Sequence, residues 1–482
     1  MSRGWKRRGF LQAAGAAGFA AALGPASAQE ARRLPIPPLL DARAARGPIE
    51  LVAQAGQFEF LPGRTSPTAG YNGAYLGPTL RVHAGDDVRF AVTNRLQEDT
   101  TVHWHGLLVP SEVDGGPHNT IAPGATWRPT VPVRQAAATA WYHAHPHGRT
   151  GAQVYSGLAG LLLVTDAQEQ ALGLPARYGV DDLPIVLQDK LFDREQRLVR
   201  PVNHMTAMHG LHGNVLLVNG APQPVAEVPA GLLRLRLLNA GNARLFDLAF
   251  DDGRSFHWIA SEGGLLREPV PLKRLSLAAG QRAEILVDFA DGRAVRLLDV
   301  GQAPRRTQPV MQFLPQGAGA PGSAIPAKLA QWDSRTVAQS ARRRRIVLAS
   351  GGMGMGGMGG GMGGMAGMAS HGLHVIDSKP FDMGRIDQRV RLGDVEIWEV
   401  TVAGMVMLHP FHIHGVHFEV LRRGGQEPVV EDQGRRDTVI VDEPVELLVH
   451  FTQRASEQAP FMYHCHILEH EDAGMMGQFT VG

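Results

Sequence analysis

The chain has only one cysteine among its 482 residues, Cys465. A single cysteine excludes an internal disulfide and leaves the thiol available for metal binding or other chemistry. The chain also lacks a strong charge of either sign, since its formal net charge is +1. This balance predicts neither a nucleic acid nor an anionic membrane surface as a partner. Beyond the N-terminus, no apolar run is long enough for a membrane-spanning helix.

Residues 1–28 have the pattern of an export signal. Arg7-Arg8-Gly9-Phe10-Leu11 fits the twin-arginine motif, and Ala26-Ser27-Ala28 supplies small residues for cleavage. The apolar stretch between them is too short and too weakly hydrophobic to span a bilayer. The segment therefore predicts twin-arginine export to a bacterial periplasm, a route that carries proteins already folded around a cofactor.

The remainder consists of short apolar runs separated by glycine and proline. Apolar and polar residues alternate over 79–83, 87–92 and 233–237, and less regularly over 285–289. Alternation with a period of two indicates half-buried strands. We therefore predict an all-β chain of three β-sandwich domains, at 34–168, 178–316 and 342–482.

Four His-X-His pairs are the most informative motif in the chain. Side chains alternate between the two faces of a strand, so each pair should direct two imidazoles to the same side. Eight imidazoles suffice for a cluster of several metal ions. The pairs are His103-Trp104-His105, His143-Ala144-His145, His412-Ile413-His414 and His464-Cys465-His466.

The pairs also form an internal repeat. The first two pairs lie in the first predicted domain and the last two in the third, in matching order. Ala144 occupies the position that Cys465 has in the later copy, so only the third domain has a thiol there. The middle domain has neither motif and is predicted to be a spacer, with 238–244 as a structural turn.

Cys465 should point away from its flanking histidines, toward a separate metal. His409 lies three residues before His412, and His470 and Met475 follow Cys465 by five and ten residues. Two imidazoles, a thiolate and a weak thioether are typical of a blue-copper electron-transfer site. Met476 is a competing axial ligand. Zinc also binds such residues, but a structural zinc site has no need of eight further imidazoles.

These motifs together resemble the three-domain multicopper oxidases, and most closely the bacterial periplasmic copper-efflux (cuprous) oxidases, which are laccase-like. The resemblance covers nearly all of the mature chain and implies three cupredoxin-like Greek-key sandwiches in a monomer that reduces O2. It also implies four copper ions. Their ligands would be His409, Cys465, His470 and Met475 for type 1; His103 and His412 for type 2; and His105, His143 and His466, with His145, His414 and His464, for the type 3 pair.

The same resemblance implies that Asp114 and Glu471 relay protons to the cluster. The alternative for each is a solvated or salt-bridged surface acid. Among the other histidines, we expect His147 to support the cluster without ligating it, and His417 to be a nearby strand residue. A looser group could bind surface copper or be an ordinary loop: His204, Met205, Met208, His209 and His212.

Residues 351–368 contain only glycine, methionine and alanine. The glycines there disfavour a helix, since each costs about 1 kcal/mol relative to alanine, so we expect an exposed loop near the start of the third domain. Exposed thioethers suit soft Cu(I); the alternative is a low-complexity linker. The methionines are Met353, Met355, Met358, Met362, Met365 and Met368.

Cuprous oxidases carry a Met-rich insert over the type 1 site, and Met407 matches one of their substrate-copper ligands. Two features depart from that pattern. Met405 stands where those enzymes have an acid, and no acid occurs between Ser350 and Leu373. A substrate copper could still be bound by thioethers alone, with Met405 and Met407 among them.

The resulting hypothesis is oxidation of Cu(I) coupled to four-electron reduction of O2 to water, in copper detoxification. The alternatives are a laccase-like oxidase of phenols and aromatic amines and a non-catalytic copper-binding protein. A two-domain copper nitrite reductase is disfavoured by three domains in one chain and by the full set of paired imidazoles.

Overall fold

The structure is a computed structural model that describes residues 32–301, 307–317, 324–332, 341–350, 372–404 and 407–482. The predicted export signal 1–28, the Gly/Met segment 351–368 and Met405 lie outside the described residues. Residues 32–482 fall in one compact unit.

The first sandwich has two sheets, in the orders β1-β4-β9-β8 and β3-β2-β5-β6, with β7 paired to β5. Helix α1, Thr150–Ser156, follows its second histidine pair, and a 3₁₀ turn covers Ser111–Val113. The strands are β1 Leu39–Asp41, β2 Ile49–Leu61, β3 Arg64–Tyr71, β4 Thr79–His83, β5 Asp87–Asn94, β6 Thr126–Trp127, β7 Thr130–Pro132, β8 Ala138–His143 and β9 Ala159–Thr165.

The middle sandwich follows helix α2, Ala167–Ala171, and includes helix α3, His204–His209. Its strands are β10 Asp182–Phe192, β11 Leu198–Val199, β12 Val215–Val218, β13 Ala221–Pro222, β14 Val225–Pro229, β15 Leu232–Asn239, β16 Phe246–Phe250, β17 Phe256–Ser261, β18 Gly264–Leu272, β19 Leu275–Leu277, β20 Arg282–Asp288, β21 Val295–Asp299 and β22 Gln308–Gln316. One sheet has the order β13-β12-β10-β15-β20-β17-β18, with β11 on β10, and the other β14-β22-β21-β16-β19.

The third sandwich has the sheets β24-β23-β26-β30-β28 and β25-β32-β31-β27-β29. Helix α4, Leu468–Asp472, follows the last histidine pair, and a 3₁₀ turn covers Val430–Asp432. The strands are β23 Arg343–Ser350, β24 His374–Ile376, β25 Gln388–Val390, β26 Val395–Gly404, β27 His409–Ile413, β28 Phe418–Arg423, β29 Thr438–Val441, β30 Val445–His450, β31 Phe461–Cys465 and β32 Met476–Val481.

The predicted all-β class with cupredoxin-like sandwiches is confirmed. Among the described strands, each sheet is built from strands of one part of the chain, β1 to β9, β10 to β22 or β23 to β32. Within them, strands distant in sequence lie side by side, such as β4 and β9, which pair in parallel. The exact limits 34–168, 178–316 and 342–482 stay a prediction. In the part of the chain that the structure describes, no helix has the length and apolar character needed to cross a membrane.

The first and third sandwiches are joined beside the histidine pairs. The amide groups of Thr150 and Gly151, at the start of α1, each donate to a carboxylate oxygen of Asp472 at 2.9 Å. Asn242 of the middle sandwich donates from its side-chain amide to the Gly151 carbonyl at 3.0 Å and to Glu469 at 2.7 Å. These bonds hold α1 and α4 together, and so align the histidine pairs that directly precede the two helices.

Candidate metal centres

The histidine pairs lie at strand ends and not inside strands, which corrects the sequence-based expectation. Strand β8 ends at His143, β27 at Ile413 and β31 at Cys465, so the second histidine of each of these pairs follows its strand. His103 forms only an isolated bridge with His143. The two rings of every pair nevertheless stay close, with centroids 5.0 to 5.7 Å apart.

The eight imidazoles converge between the first and third sandwiches, and none is more than 1% exposed. Rings from the two sandwiches alternate across the interface. The closest opposed rings are His105 and His412, with centroids 3.7 Å apart, and His103 and His414, 3.8 Å apart. The histidines of the two copies therefore form one buried cluster, which we call the histidine cluster.

Three acids connect the two halves of this cluster, and each touches one imidazole from either sandwich. Asp114 Oδ2 lies 2.8 Å from His414 Nδ1 and 3.2 Å from His103 Nδ1. Glu471 lies 3.3 Å from His145 Nδ1 and 3.2 Å from His464 Nδ1. Asp437 Oδ1 lies 3.1 Å from His105 Nε2 and 3.6 Å from His412 Nδ1. Sequence reasoning found the first two acids and missed Asp437.

Two of these acids have pKa values shifted in opposite directions. Burial, followed by the neighbouring charge of Asp472, raises the pKa of Glu471 well above its ordinary value. Burial would also raise the pKa of Asp437, but the Arg282 guanidinium and the His105 ring together outweigh burial and hold that pKa well below the usual range. Glu471 is therefore suited to holding a proton, and Asp437 to remaining an ionised acceptor.

The imidazoles of the cluster are suited to metal binding. Burial lowers the pKa values of seven of them and keeps these rings neutral at pH 7: His105, His143, His145, His412, His414, His464 and His466. Several ring nitrogens of the cluster are buried and have no hydrogen-bond partner among the described residues. They include His103 Nε2, His143 Nε2, His412 Nε2 and both nitrogens of His466. Neutral, unpartnered and buried imidazole nitrogens fit metal ions, because such nitrogens are otherwise costly to bury.

The groupings of these rings can be compared with the family's ligand sets. His145, His414 and His464 form one group whose ligand atoms lie within 4.8 Å of one another. The centroids of His105, His143 and His466 are 5.1 to 5.6 Å apart. The remaining two rings, His103 and His412, lie 5.8 Å apart and belong to another potential ligand group with His414. The division of the rings among individual metal ions stays a prediction.

Cys465 belongs to a second potential centre inside the third sandwich. Its Sγ lies 3.4 Å from His409 Nδ1 and 3.7 Å from His470 Nδ1, and all three side chains are fully buried. Burial raises the pKa of the Cys465 thiol and lowers the pKa of His409 to about 4. The thiol would thus need a metal to hold it as the thiolate, whereas the neutral imidazoles are ready ligands.

Met475 and Met476 lie in different apolar environments. Met475 packs in the same core cluster as Cys465, and its carbonyl accepts the Cys465 backbone N–H at 3.1 Å. Met476 packs instead with Phe381 and Met462. Packing therefore favours Met475 as the thioether nearest the Cys465 centre.

Residues distant in sequence surround the imidazoles of this centre. His470 Nε2 donates to the Met208 carbonyl of α3 at 3.1 Å. His374 stacks on His470 with centroids 3.8 Å apart, and its own ring bonds the Ser350 hydroxyl at 2.8 Å and the Ala207 carbonyl at 2.7 Å. Sequence reasoning missed His374, which no local motif marks.

The structure separates the remaining candidate histidines from the ligand groups. His147 is exposed, with its ring centroid 5.2 Å from that of Phe381. His417 is buried near the cluster and donates to the Gly106 carbonyl at 3.2 Å, but it lies in the loop before β28, which corrects its placement in a strand. The loose His/Met group lies on α3 and just after it, with His204, Met205, His209 and His212 exposed and Met208 buried.

Three sandwiches that enclose a histidine cluster and a Cys–His centre define a metalloprotein of the cupredoxin-fold class. Models of the family described as multicopper oxidase match residues 52–169 and 362–482. The chain belongs to the multicopper oxidase family, and this family implies copper as the metal.

Two curated relatives align along almost the whole chain. Cell division protein FtsP of Rahnella sp. strain Y9602 is 40% identical, covering 98% of this chain and 98% of the relative. The protein of the same name from Escherichia coli strain K12 is 38% identical, again with 98% of each covered.

Solved structures show the same fold. A laccase-like multi-copper oxidase, CueO, from Ochrobactrum sp. superposes with a TM-score of 0.84 and 40% identity, covering 93% of this chain and 100% of that one; it is described as having oxidase activity towards lignin model compounds. A multicopper oxidase from Campylobacter jejuni, described as a metallo-oxidase, has a TM-score of 0.79 and 28% identity, covering 94% and 98%.

Proposed function

We propose that this chain is a copper-dependent oxidase in which electrons enter at the Cys465 centre and O2 is reduced to water at the histidine cluster. One observation carries the proposal. Cys465 contributes its side chain to one centre, while its carbonyl accepts a hydrogen bond from the ring of His464, a member of the cluster, at 3.1 Å. A single residue thus connects both centres over a few covalent bonds.

The proposed ligands are those that the family implies. One copper would be held by His409, Cys465, His470 and Met475, and three more by the eight imidazoles of the histidine cluster. Bound copper would supply one-electron transfer at the first centre and oxygen reduction at the second. The protein would hold neutral rings in place and exclude bulk water, consistent with the burial of all these side chains.

Protons for water formation would come through Glu471 and Asp114. Glu471 has the raised pKa expected of a group that carries a proton at neutral pH, and it lies 3.3 Å from His145 Nδ1. Asp114 receives a 2.8 Å hydrogen bond from His414 Nδ1. Both acids are buried, which argues against the alternative of solvated surface acids.

We propose Cu(I) as the reductant, and copper detoxification in the periplasm as the role. Ser350 and His374 flank the Gly/Met segment and bond each other beside His470. The described residues on either side of that segment therefore lie beside the Cys465 centre. Met407 is half-buried and packs against the core that contains Cys465. The metallo-oxidase from Campylobacter jejuni supports this reading, and residues 1–28 support twin-arginine export.

Oxygen consumption by the copper-loaded protein tests this function. We expect a higher kcat/KM for Cu(I) than for a methoxyphenol, water and not peroxide as the product, and loss of activity in Cys465→Ser. A preference for the phenol would favour the laccase-like alternative, which the Ochrobactrum enzyme supports. Retained oxidase activity in Cys465→Ser would contradict entry of electrons at this centre.

Deletion of 351–368 separates the two reductants. If the Gly/Met segment receives Cu(I), its deletion should lower kcat/KM for Cu(I) and leave or increase the value for the phenol. Unchanged activity toward both reductants would mean that the segment is a linker.

A role in cell division is a second candidate, favoured by curated relatives that carry that name at 38 to 40% identity over nearly the whole chain. Complementation of an Escherichia coli strain that lacks its relative provides a test. Rescue by both wild type and Cys465→Ser would indicate a division role that does not require the Cys465 centre. Failure of both to rescue would argue against this candidate.

A further inference from the structure

A buried ion pair between the middle and third sandwiches lies against the histidine cluster. Arg282, at the start of β20, donates from Nη1 and Nη2 to the two carboxylate oxygens of Asp437 at 2.8 and 2.6 Å. The two side chains are 0% and 1% exposed. A bidentate pair of this kind fixes the plane of the carboxylate as well as its position.

The remaining donors of Arg282 are also used, and their partners come from two sandwiches. Nε donates to the carbonyl of Thr139 in the first sandwich at 3.0 Å. Within the middle sandwich, Nη1 donates to the Gly280 carbonyl at 3.1 Å and Nη2 to that of Glu262 at 3.4 Å. With Asp437 as its partner from the third sandwich, this guanidinium connects all three sandwiches.

Asp437 in turn contacts the two most closely stacked rings of the cluster. Its Oδ1 accepts from His105 at 3.1 Å, and its backbone carbonyl accepts from His412 Nδ1 at 2.8 Å. Thr438 donates its hydroxyl to the same Oδ1 at 2.9 Å. The orientation of one ring from each sandwich is therefore tied to the position of Asp437.

Two glycines leave the space that this arrangement needs. A Cβ on Gly106 would lie 2.3 Å from Arg282 Nη2, and a Cβ on Gly280 would lie 2.7 Å from a ring carbon of His466. Both glycines have a positive φ, which side chains disfavour. Residues 280–282 of the middle sandwich thus form part of the wall of the cluster, which corrects the expectation that this domain is only a spacer.

We propose that Arg282 is a positioning residue for the histidine cluster: it fixes Asp437, and through Asp437 the rings of His105 and His412. The middle sandwich would then take part directly in building the oxygen site. The inference rests on the proposed function, because it assigns these rings to copper binding. Partners that orient metal-binding histidines typically change metal affinity by 10- to 100-fold when they are removed.

Arg282→Lys tests the proposal, because lysine keeps the charge but loses the planar fork of donors. Arg234→Lys is the matched control, since Arg234 is also buried but pairs with Glu284 and Glu169 and not with a carboxylate that contacts a ring of the cluster. Copper per chain, the blue absorption and the electron paramagnetic resonance spectrum should be measured at limiting copper. We expect Arg282→Lys to weaken copper binding at the cluster by about 10-fold. The electron paramagnetic resonance signal of copper in the cluster should change, while the blue absorption of the Cys465 centre persists. Arg234→Lys should leave both copper signals as in the wild type.

Asp437→Asn provides the second variant. If Arg282 acts through Asp437, the double variant should be no worse than the more affected single variant, because the two changes break the same connection. Identical copper signals in wild type, Arg282→Lys and Arg234→Lys would overturn the inference and leave the proposed function standing. Equal changes in the two lysine variants would show a general effect of losing a buried pair, and would also overturn it. A wild-type protein that binds no copper would overturn the proposed function itself, and this inference with it.

Discussion

The first and third sandwiches present their histidines in the same way but differ beside them. Each supplies two His-X-His pairs and a glycine with positive φ after the first pair, Gly106 in one and Gly415 in the other. At the spacings that His409, Cys465, His470 and Met475 have in the third sandwich, the first has Thr100, Ala144, Arg149 and Val154. The two sandwiches therefore contribute equivalent histidines to the cluster, whereas the Cys465 centre depends on side chains that only the third sandwich has.

The largest expected effect comes from replacing Cys465, because the first sandwich has no thiol at the matching position. Cys465→Ser should abolish the blue absorption and the turnover, because serine lacks the soft thiolate that this type of copper site requires. Absorption spectroscopy and oxygen uptake check the result. As a control, Ala144→Cys in the same background should restore neither property, because Thr100 and Arg149 offer no imidazole. Restored blue absorption in this double variant would contradict the account.

The two proposed proton carriers give the next largest effect. Glu471→Gln should lower kcat by at least about 100-fold, the usual contribution of a positioned acid or base, with the copper content kept. Asp114→Asn should cost less, because the amide oxygen of asparagine can still accept the hydrogen bond from His414 Nδ1. Oxygen uptake as a function of pH measures both. Equal losses in the two variants would mean that the raised pKa has no bearing on turnover.

The matching glycines Gly106 and Gly415 have different neighbours. Gly106→Ala should disturb copper binding at the cluster, because the new Cβ would meet Arg282 and come 3.0 Å from Asp437. Gly415→Ala should lower stability with less effect on the copper signals, since its Cβ would meet the Phe461 ring at 2.3 Å. Thermal unfolding and copper titration distinguish the two outcomes. Identical changes in both variants would contradict a special role for the surroundings of Gly106.

The smallest expected effect is at the axial position. Met475→Leu should raise the reduction potential of the blue centre, because Cu(II) is less stable without the thioether donor. The substitution should alter kcat only a few fold. Met476→Leu is the control, since Met476 packs in another apolar cluster. Redox titration of the blue absorption measures both. An unchanged potential in Met475→Leu would move the axial assignment away from Met475.

The sequence was most informative where spacing along the chain is short. Histidines two residues apart, and His470 and Met475 after Cys465, could be recognised because local spacing constrains where their side chains point. The strand pattern predicted the all-β class for the same reason. It did not predict that three of the histidine pairs straddle the end of a strand, because the alternation of residue types continues past the last ladder hydrogen bond.

Asp437, Arg282 and His374 could not be found in this way. Asp437 lies 332 residues from His105 along the chain and Arg282 belongs to another sandwich, so only the packed fold brings them together. His374 is likewise isolated in sequence, although it stacks on His470. Buried charges that depend on long-range pairing leave no periodic pattern in a single sequence.

The connection of two copper centres through Cys465 can be tested with a single pulse of O2 added to the fully reduced, copper-loaded protein. We predict that the blue absorption returns in the same kinetic phase in which O2 is consumed, with four electrons used per O2 and no peroxide released. Consumption of O2 without return of the blue absorption, or with release of peroxide, would contradict it.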